Sequence, residues 1–214
     1  NDSFWLARSL QRRGVVESPL EKAEVVILNT CSVRDKPEQK VYAALGRIKY
    51  ETRRVPSSFA VVAGCVAQQI GAGFFERFPQ VRLVVGGDGL AMAPDAIERL
   101  HGDPSLRLNL TDFSEIYPER DPALPAQGEG EIPPVAFVNI MQGCDNFCTY
   151  CIVPFTRGRQ KSRDAGAILD ECRALIDNGA KEITLLGQNV NSYGLDKHAS
   201  GDTSFARLLR KVSE

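Results

Sequence analysis

Short apolar runs alternate with helical patterns through the first half of the chain. The runs lie at residues 25–28, 59–64 and 81–85, and each is followed by a stretch whose apolar residues recur with helical spacing. Continuous apolar runs of this length are typical of strands buried on both faces of a parallel sheet. Since helical stretches connect these strands, the sequence predicts an α/β fold whose first domain contains a doubly wound parallel sheet.

The character of the sequence changes between residues 111 and 133. Proline, glycine and acidic residues dominate there and the apolar periodicity is lost, which is typical of a linker. We therefore predict a first α/β domain over residues 1–110, a linker over 111–133 and a second domain over 134–214. The chain begins with Asn1 and not with Met, so we expect the start of the first domain to lie upstream.

Two β/α units are predicted in the second domain. Strands are expected at 135–140 and 182–186, with a helix over about 163–178, capped by Ser162, between them and a final helix at 203–212. A complete (β/α)8 barrel needs about 200 residues or more. We therefore expect the first β/α units of a partial TIM-like barrel, with a strand edge and an apolar face left uncovered.

Three cysteines follow directly after the first strand of the second domain. Cys144, Cys148 and Cys151 have the spacing C-x3-C-x2-C. An odd number of thiols this close together cannot all form disulfides. A zinc site usually has four ligands, and no fourth Cys or His is near in the sequence. A 4Fe-4S cluster held by three thiolates leaves one iron open for a ligand that is not protein, so the spacing favours a cluster over a zinc loop.

Cys31 and Cys65 each follow a predicted strand of the first domain. Both would then lie at the carboxyl edge of the parallel sheet, where such sheets bind ligands. A lone cysteine is more often a small core residue, and we interpret Cys172, on the apolar face of a predicted helix, in that way. A cluster at Cys31 and Cys65 would need a third thiolate. A strand preceding the predicted helix at 3–13 would be its natural source, so we expect a cysteine shortly before Asn1.

Charge and hydropathy limit the possible partners. The formal net charge of −1 gives no global basic field, so a nucleic acid would be bound by a local patch. The alternating cations Arg157, Arg159, Lys161 and Arg163 form such a patch if their segment is extended, and an ordinary solvated charge run is the alternative. No run approaches the roughly 18 apolar residues of a membrane span. Six cysteines without a secretory signal favour metal or redox chemistry in the cytoplasm over disulfides.

Four motifs occur in order along the chain. They are Asn-Thr-Cys-Ser-Val-Arg at 29–34, the three-cysteine segment at 144–151, Ile-Val-Pro-Phe-Thr-Arg-Gly-Arg at 152–159 and Leu-Gly-Gln-Asn-Val-Asn at 186–191. Together they resemble the radical S-adenosylmethionine (SAM) methylthiotransferases. Members of this family join an α/β domain with one three-cysteine cluster to a radical SAM barrel with another, and an RNA-binding barrel usually follows. Residues 159–162 differ from relatives, which tend to carry an acidic residue there.

The resemblance implies two 4Fe-4S clusters and SAM as cofactors. Cys144, Cys148 and Cys151 would hold the cluster whose open iron binds SAM. Cys31 and Cys65, with the upstream ligand, would hold an auxiliary cluster that supplies or carries the sulfur.

Three further residues are implied to contact SAM. Tyr150 would lie near the adenine of SAM, unless its ring packs beneath the loop. Gln188 and Asn189, at the end of a strand, would contact the methionine end. The sequence assigns no role to His101 or His198.

The first motif and residues 187–194 look most like the branch of the family that acts on isopentenyladenosine in tRNA. The implied reaction adds a methylthio group to C2 of N6-isopentenyladenosine next to the anticodon, with one SAM donating methyl and another generating the radical. The implied partners are tRNA, SAM and an electron donor, without a membrane. Threonylcarbamoyladenosine in tRNA and an aspartate of a ribosomal protein are the alternative substrates. A non-catalytic RNA-binding module, whose metal only staples its loops, is the alternative of a different class.

Overall fold

The computed structural model describes residues 2–33, 36–122, 133–196 and 204–214. Contacts divide the chain into two compact units. One comprises Arg13–Phe113, and the other combines Asn1–Arg12 with Ser114–Glu214. Helix α1 (Asp2–Gln11) is therefore grouped with the second half of the chain, whereas the division from the sequence grouped it with the first domain.

The unit formed by Arg13–Phe113 contains a four-stranded parallel sheet in the order β1-β2-β3-β4. Its strands are β1 (Val25–Thr30), β2 (Phe59–Gly64), β3 (Val81–Val85) and β4 (Leu108–Leu110). Its α-helices are α2 (Pro37–Glu51), α3 (Cys65–Ile70), α4 (Gly73–Arg77) and α5 (Ala93–Gly102). The α/β fold with a parallel sheet, predicted from the apolar runs, is confirmed.

The core of this unit explains why the sheet forms. Every side chain from Phe59 to Ala63 is buried, so β2 is covered on both faces, as its continuous apolar run predicts. Helix α2 begins at Pro37, a residue suited to the first helical turn. It presents Val41, Leu45 and Ile48 on one buried face, which packs against side chains of β2 and β3.

Helix α1 is anchored within the other unit. Trp5, Leu6 and Leu10 are buried, and the indole Nε1 of Trp5 donates a hydrogen bond of 2.7 Å to the carbonyl of Asp121. Tyr117 is also buried. Residues 114–122 of the predicted linker therefore form part of the packed unit, while residues 123–132 lie outside the described residues.

The remainder of this unit contains two β/α units. Its strands are β5 (Val135–Asn139), β6 (Met141–Gln142), β7 (Lys161–Ser162) and β8 (Glu182–Leu186). Its further helices are α6 (Val153–Thr156), α7 (Ala165–Asp177) and α8 (Phe205–Ser213). β5 and β8 pair in parallel, and β6 and β7 pair in an antiparallel arrangement. The predicted first units of a β/α barrel are confirmed by this pairing.

Helix α7 covers one face of the β5–β8 pair. It begins after Asp164, whose carboxylate accepts a hydrogen bond of 2.9 Å from the amide of Ala167. The predicted cap, Ser162, is wrong, because this residue lies in β7 and its hydroxyl donates to Asp196. Cys172 is a core residue, as predicted, and burial raises the pKa of its thiol to about 11.

The two faces of β5 differ in exposure. Ala136 and Val138 are buried in the core that contains α7, whereas Val135 and Phe137 on the other face are partly exposed. This second face of β5 is therefore not covered by the described residues of the chain.

Candidate active site

The three predicted cluster ligands lie on one loop, residues 143–151, which we call the cysteine loop. It follows β6 at the carboxyl end of β5. Cys144 and Cys151 are partly buried, Cys148 is exposed, and all three are free thiols. The amide of Cys151 donates to the carbonyl of Cys148 at 2.9 Å, and Phe147 adopts a left-handed conformation with φ of 43°. The two turns place three thiols on the face where β/α barrels carry their chemistry.

Residues 157–162, which we call the return arm, run back along the cysteine loop. The amide of Cys144 donates to the carbonyl of Gly158 at 3.2 Å, and the amide of Gln160 donates to the carboxylate of Asp145 at 3.1 Å. Gly143 has φ of 79°, and a Cβ atom there would lie 2.6 Å from the carbonyl oxygen of Gly158. Only glycine permits this backbone conformation together with so close an approach.

The segment after β8, residues 187–194, contacts both the cysteine loop and the return arm. The side-chain oxygen of Gln188 accepts a hydrogen bond of 2.8 Å from the amide of Gly143. Gln160 and Ser192 exchange two hydrogen bonds of 2.6 Å, in which the Gln160 amide donates to the Ser192 carbonyl and accepts from the Ser192 hydroxyl. The end of β8 is thereby joined to the start of the cysteine loop.

The residues predicted to contact SAM lie at this edge. The side chain of Tyr150 is 90% exposed, so the alternative in which its ring packs beneath the loop is wrong. Gln188 is exposed and bonded to the loop, as described above. Asn189 is partly buried, and its carbonyl accepts a hydrogen bond of 3.0 Å from the amide of Ser192.

The four alternating cations do not form one exposed stripe. Arg159 is 69% exposed, pairs with Asp145 at 3.2 Å and lies over the ring of Phe147. Lys161 is buried, and its ammonium group donates to the carbonyl of Ser114 at 3.1 Å.

Arg163 is buried too, and it pairs with two carboxylates, those of Glu119 at 2.7 Å and Glu171. Burial opposes its positive charge, but Glu171 and Glu119 outweigh that effect and raise the pKa of the guanidinium above its usual value. Buried cations that are paired within their own unit stabilise the fold. Of the four cations, only Arg159 exposes most of its side chain to solvent.

Asp2 is a site residue that the sequence reasoning did not identify. Its carboxylate is bound by Arg120 at 2.9 Å and by both terminal nitrogens of Arg157 at 3.2 Å. Burial opposes ionisation of this carboxyl, but the two arginines outweigh burial and lower its pKa below the ordinary value. The sequence carries no local signal for this arrangement, because Arg120 and Arg157 lie 118 and 155 positions from Asp2.

The second pair of cysteines lies at the carboxyl edge of the parallel sheet. Thr30 is in register with Gly64, so Cys31 and Cys65 directly follow the ends of two neighbouring strands. The hydroxyl of Thr30 donates to the carbonyl of Ala63 at 2.6 Å and accepts from the first turn of α3 at 3.2 Å. Gly64 has φ of 93°, which turns the chain from β2 into α3. The structure thus places the two thiols at one edge, as the sequence predicts.

Comparison with known proteins shows similarity along the whole chain. The model described as Uncharacterized protein family UPF0004 matches residues 1–86, and that of the Radical SAM superfamily matches residues 138–208. A tRNA-2-methylthio-N(6)-dimethylallyladenosine synthase from Nitratidesulfovibrio vulgaris is 66% identical over 213 residues. Synthases of the same name from Lawsonia intracellularis and Geobacter sulfurreducens are 61% and 44% identical over 219 and 220 residues. Each comparison covers 100% of this chain.

The chain belongs to the radical SAM methylthiotransferase family. It spans about half the length of the curated relatives, covering 46%, 48% and 47% of the three named above. A solved structure of a radical SAM methyltransferase from Kitasatospora setae has a TM-score of 0.52 and 15% identity, over 97% of this chain and 42% of the other. At that identity the likeness shows the fold alone. Membership of the family implies SAM and iron–sulfur chemistry.

The donor set at the cysteine loop fits an iron–sulfur cluster. Three free thiols at exposed or partly exposed positions are the ligands that such a cluster requires, and none is committed to a disulfide. Within the described residues, no three Cys, His, Asp or Glu side chains already stand close enough to hold a metal. A cluster at the loop would require the three thiols to lie closer to a common point than they do in this structure.

The helices and the two histidines of the chain indicate no additional site. In the described part of the chain, no helix has the length and apolar character to cross a membrane. His101 lies in the last turn of α5 and acquires no role from its surroundings. His198 lies outside the described residues.

Proposed function

We propose that this chain is part of an enzyme that adds a methylthio group to C2 of N6-isopentenyladenosine in tRNA, next to the anticodon. The observation that supports this most directly is 66% identity, along the whole chain, to a synthase named for that product. The two cysteine sites are consistent with it, because sulfur insertion requires a source of sulfur in addition to radical chemistry.

The cysteine loop is proposed to hold a 4Fe-4S cluster through Cys144, Cys148 and Cys151, with SAM at the open iron. When bound, the cluster and SAM supply the one-electron chemistry that removes a hydrogen atom from an unreactive carbon. The protein's contribution is orientation and exclusion of water. Gln188 fixes the start of the loop through a bond to a backbone amide, and the exposed ring of Tyr150 is available to cover the SAM adenine. We assign the methionine end of SAM to Gln188 and Asn189.

The sheet edge is proposed to hold the auxiliary 4Fe-4S cluster. Cys31 and Cys65 supply two ligands from neighbouring strands, and the third comes from a cysteine upstream of Asn1. This cluster supplies or carries the sulfur, so the complete enzyme contains two clusters.

RNA contact from this chain is assigned to Arg159. Its guanidinium lies 4.9 Å from the ring centre of Phe147, which in turn meets the ring of Phe155 edge-on. Both rings are partly exposed. An exposed arginine beside exposed aromatic rings can contact phosphate and stack with bases. A further partner of the proposed enzyme is an electron donor, and we place the enzyme in the cytoplasm, where its tRNA substrate is found.

Mass analysis of tRNA nucleosides tests the substrate. A strain with the gene deleted would be complemented with a plasmid that carries the full-length gene. The plasmid would encode the wild type, Cys148→Ala or Cys172→Ala. We expect the 2-methylthio derivative of isopentenyladenosine to be restored by wild type and by Cys172→Ala, because Cys172 lies in the core, and not by Cys148→Ala. Unchanged levels of this derivative in the deletion strain would refute the proposal. A loss confined to threonylcarbamoyladenosine derivatives, or to a modified ribosomal protein, would assign a sister substrate.

Metal analysis separates the enzyme from a metal-stapled RNA-binding module. Full-length protein purified without oxygen should contain about eight iron atoms, and Cys148→Ala about four fewer. The wild type should also cleave SAM to 5′-deoxyadenosine. One zinc per chain without SAM cleavage would exclude the enzyme.

A further inference from the structure

Three side chains form a buried ion-pair arrangement that we call the Asp2 bridge: Asp2, Arg120 and Arg157. The side chain of Asp2 is 18% exposed, that of Arg120 is 7% exposed and that of Arg157 is 24% exposed. Charge-assisted bonds in such surroundings are stronger than exposed ones, and removal of the carboxylate that joins two guanidinium groups is destabilising. The bridge is therefore expected to hold its three backbone segments in fixed relative positions.

Arg120 contacts a second residue of helix α1, Trp5, in addition to Asp2. Its guanidinium lies 5.3 Å from the ring centre of Trp5, which is itself buried and bonded to the carbonyl of Asp121. The Nε of Arg120 is buried without a hydrogen-bond partner among the described residues. The position of this guanidinium is thus set by packing and by its bond to Asp2, while its Nε–H donor makes no hydrogen bond among the described residues.

Arg157 connects the bridge to the cysteine loop. It is the first residue after α6 and is directly followed by Gly158, the residue whose carbonyl accepts the amide of Cys144. A displacement of Arg157 would therefore move the acceptor that holds Cys144. Two consecutive bonded contacts separate the carboxylate of Asp2 from the first cluster ligand.

We propose that Asp2 is a positioning residue for the cysteine loop, acting through Arg157 and Gly158 on Cys144. Its effect on a bound cluster rests on the proposed function, whereas its effect on loop mobility does not. Loss of the Asp2 carboxylate removes the negative charge that both guanidinium groups share, so the return arm is held less firmly to α1 and the loop opens more often. The fold is retained, because Trp5, Leu6 and Leu10 keep α1 packed.

The test compares Asp2→Asn with Asp121→Asn in the full-length protein. Asp121 is a matched control, because its carboxylate is 80% exposed and pairs at the surface with Arg12. Hydrogen exchange of cluster-free protein should be about tenfold faster across residues 143–160 in Asp2→Asn, and unchanged in Asp121→Asn. Asp2→Glu, which keeps the charge, should restore part of the protection. Equal exchange of the loop in Asp2→Asn and Asp121→Asn would overturn the proposal.

Iron release provides a second readout that global stability does not determine. Cluster-loaded Asp2→Asn should lose iron to a chelator about tenfold faster than wild type at temperatures well below unfolding. Arg157→Lys, which keeps the charge but loses the two-nitrogen contact, should fall between them. Iron release at the wild-type rate in both variants would refute the role in positioning. Failure of the wild type to bind iron would refute the proposed function, and the exchange result would still decide the positioning role.

Discussion

Gly143→Ala is the substitution for which the structure predicts the largest local effect in the cysteine loop. Gly143 has φ of 79°, and an added Cβ would meet the backbone of residues 158 and 159. The matched control is Gly179→Ala, because Gly179 has φ of 109° but no atom within 4 Å of an added Cβ. Both residues lie in the same unit. The control therefore measures the backbone cost alone.

The difference between the two variants follows from the contacts that must break. A left-handed backbone costs an ordinary residue about 1–2 kcal/mol, and both variants incur that cost. In Gly143→Ala, residue 143 and the return arm must also move apart. This movement breaks the bond from Cys144 to Gly158 and the bond from residue 143 to Gln188. Each such bond contributes about 0.5–1.5 kcal/mol, so Gly143→Ala should cost about 1–3 kcal/mol more than Gly179→Ala.

Hydrogen exchange of the full-length protein, followed by mass spectrometry, measures this difference. Peptides of the cysteine loop should exchange about 5- to 150-fold faster in Gly143→Ala than in Gly179→Ala, since that range corresponds to the expected free-energy difference. Peptides of β5 report unfolding of the whole unit in both variants. Equal protection of the loop in the two variants would refute the close approach that the structure shows.

Of three further predictions, two concern side-chain hydrogen bonds and one concerns the titration of Asp2. Gln160→Glu should destabilise its unit by about 1–3 kcal/mol in urea denaturation, because a buried carboxylate cannot donate to the carbonyl of Ser192. Thr30→Val should destabilise the sheet unit by about 1–3 kcal/mol in the same assay. The substitution removes the acceptor of the buried Val66 amide and the donor to the carbonyl of Ala63. The pKa of Asp2 is lower in the folded protein than its ordinary value near 4. The ion pairs of Asp2 therefore stabilise the fold fully above about pH 4, and this stability is lost as the pH falls through the pKa of the folded protein. Acid denaturation of Asp2→Asn should accordingly show a shallower loss of stability below about pH 4 than the wild type.

Each of these predictions has a control and a contradicting result. Gln69→Glu should cost little, because Gln69 is exposed and only accepts a hydrogen bond, from Ser32. Thr52→Val should cost less than Thr30→Val, since the Thr52 hydroxyl bonds only to a carbonyl of its own helical segment. Variants and controls of equal stability would contradict the first two predictions, and parallel acid curves would contradict the third.

The sheet and the cysteine sites could be predicted because their signals are local. The apolar run of β2 is long enough to show burial on both faces, and a cysteine that directly follows a strand must lie near the sheet edge. β4 was missed because Leu-Asn-Leu is too short to show a period, and it is a strand only through its pairing with β3. The cap of α7 was misplaced by two residues, because Ser162 and Asp164 are both good caps and tertiary bonds decide between them.

The surroundings of the alternating cations depend on distant segments and could not be predicted. The proposed patch required an extended segment, and the backbone is extended at β7, but the alternation does not reveal which side of that backbone faces protein. Lys161 is buried by Ser114 and Arg163 by Glu119, residues that lie 47 and 44 positions earlier in the chain. The same holds for α1, whose Trp5 bonds to a residue 116 positions away.

The proposed methylthiotransferase is tested most directly with purified full-length protein and tRNA that contains isopentenyladenosine. The protein would be loaded with iron and sulfide without oxygen and supplied with SAM and a reductant, and the tRNA nucleosides would then be weighed by mass spectrometry. Wild type and Cys172→Ala should convert isopentenyladenosine to its 2-methylthio derivative, while Cys148→Ala and Cys31→Ala should not. Conversion by Cys148→Ala at the wild-type rate, or no conversion by a wild type that holds both clusters, would contradict the assignment of this chain to that reaction.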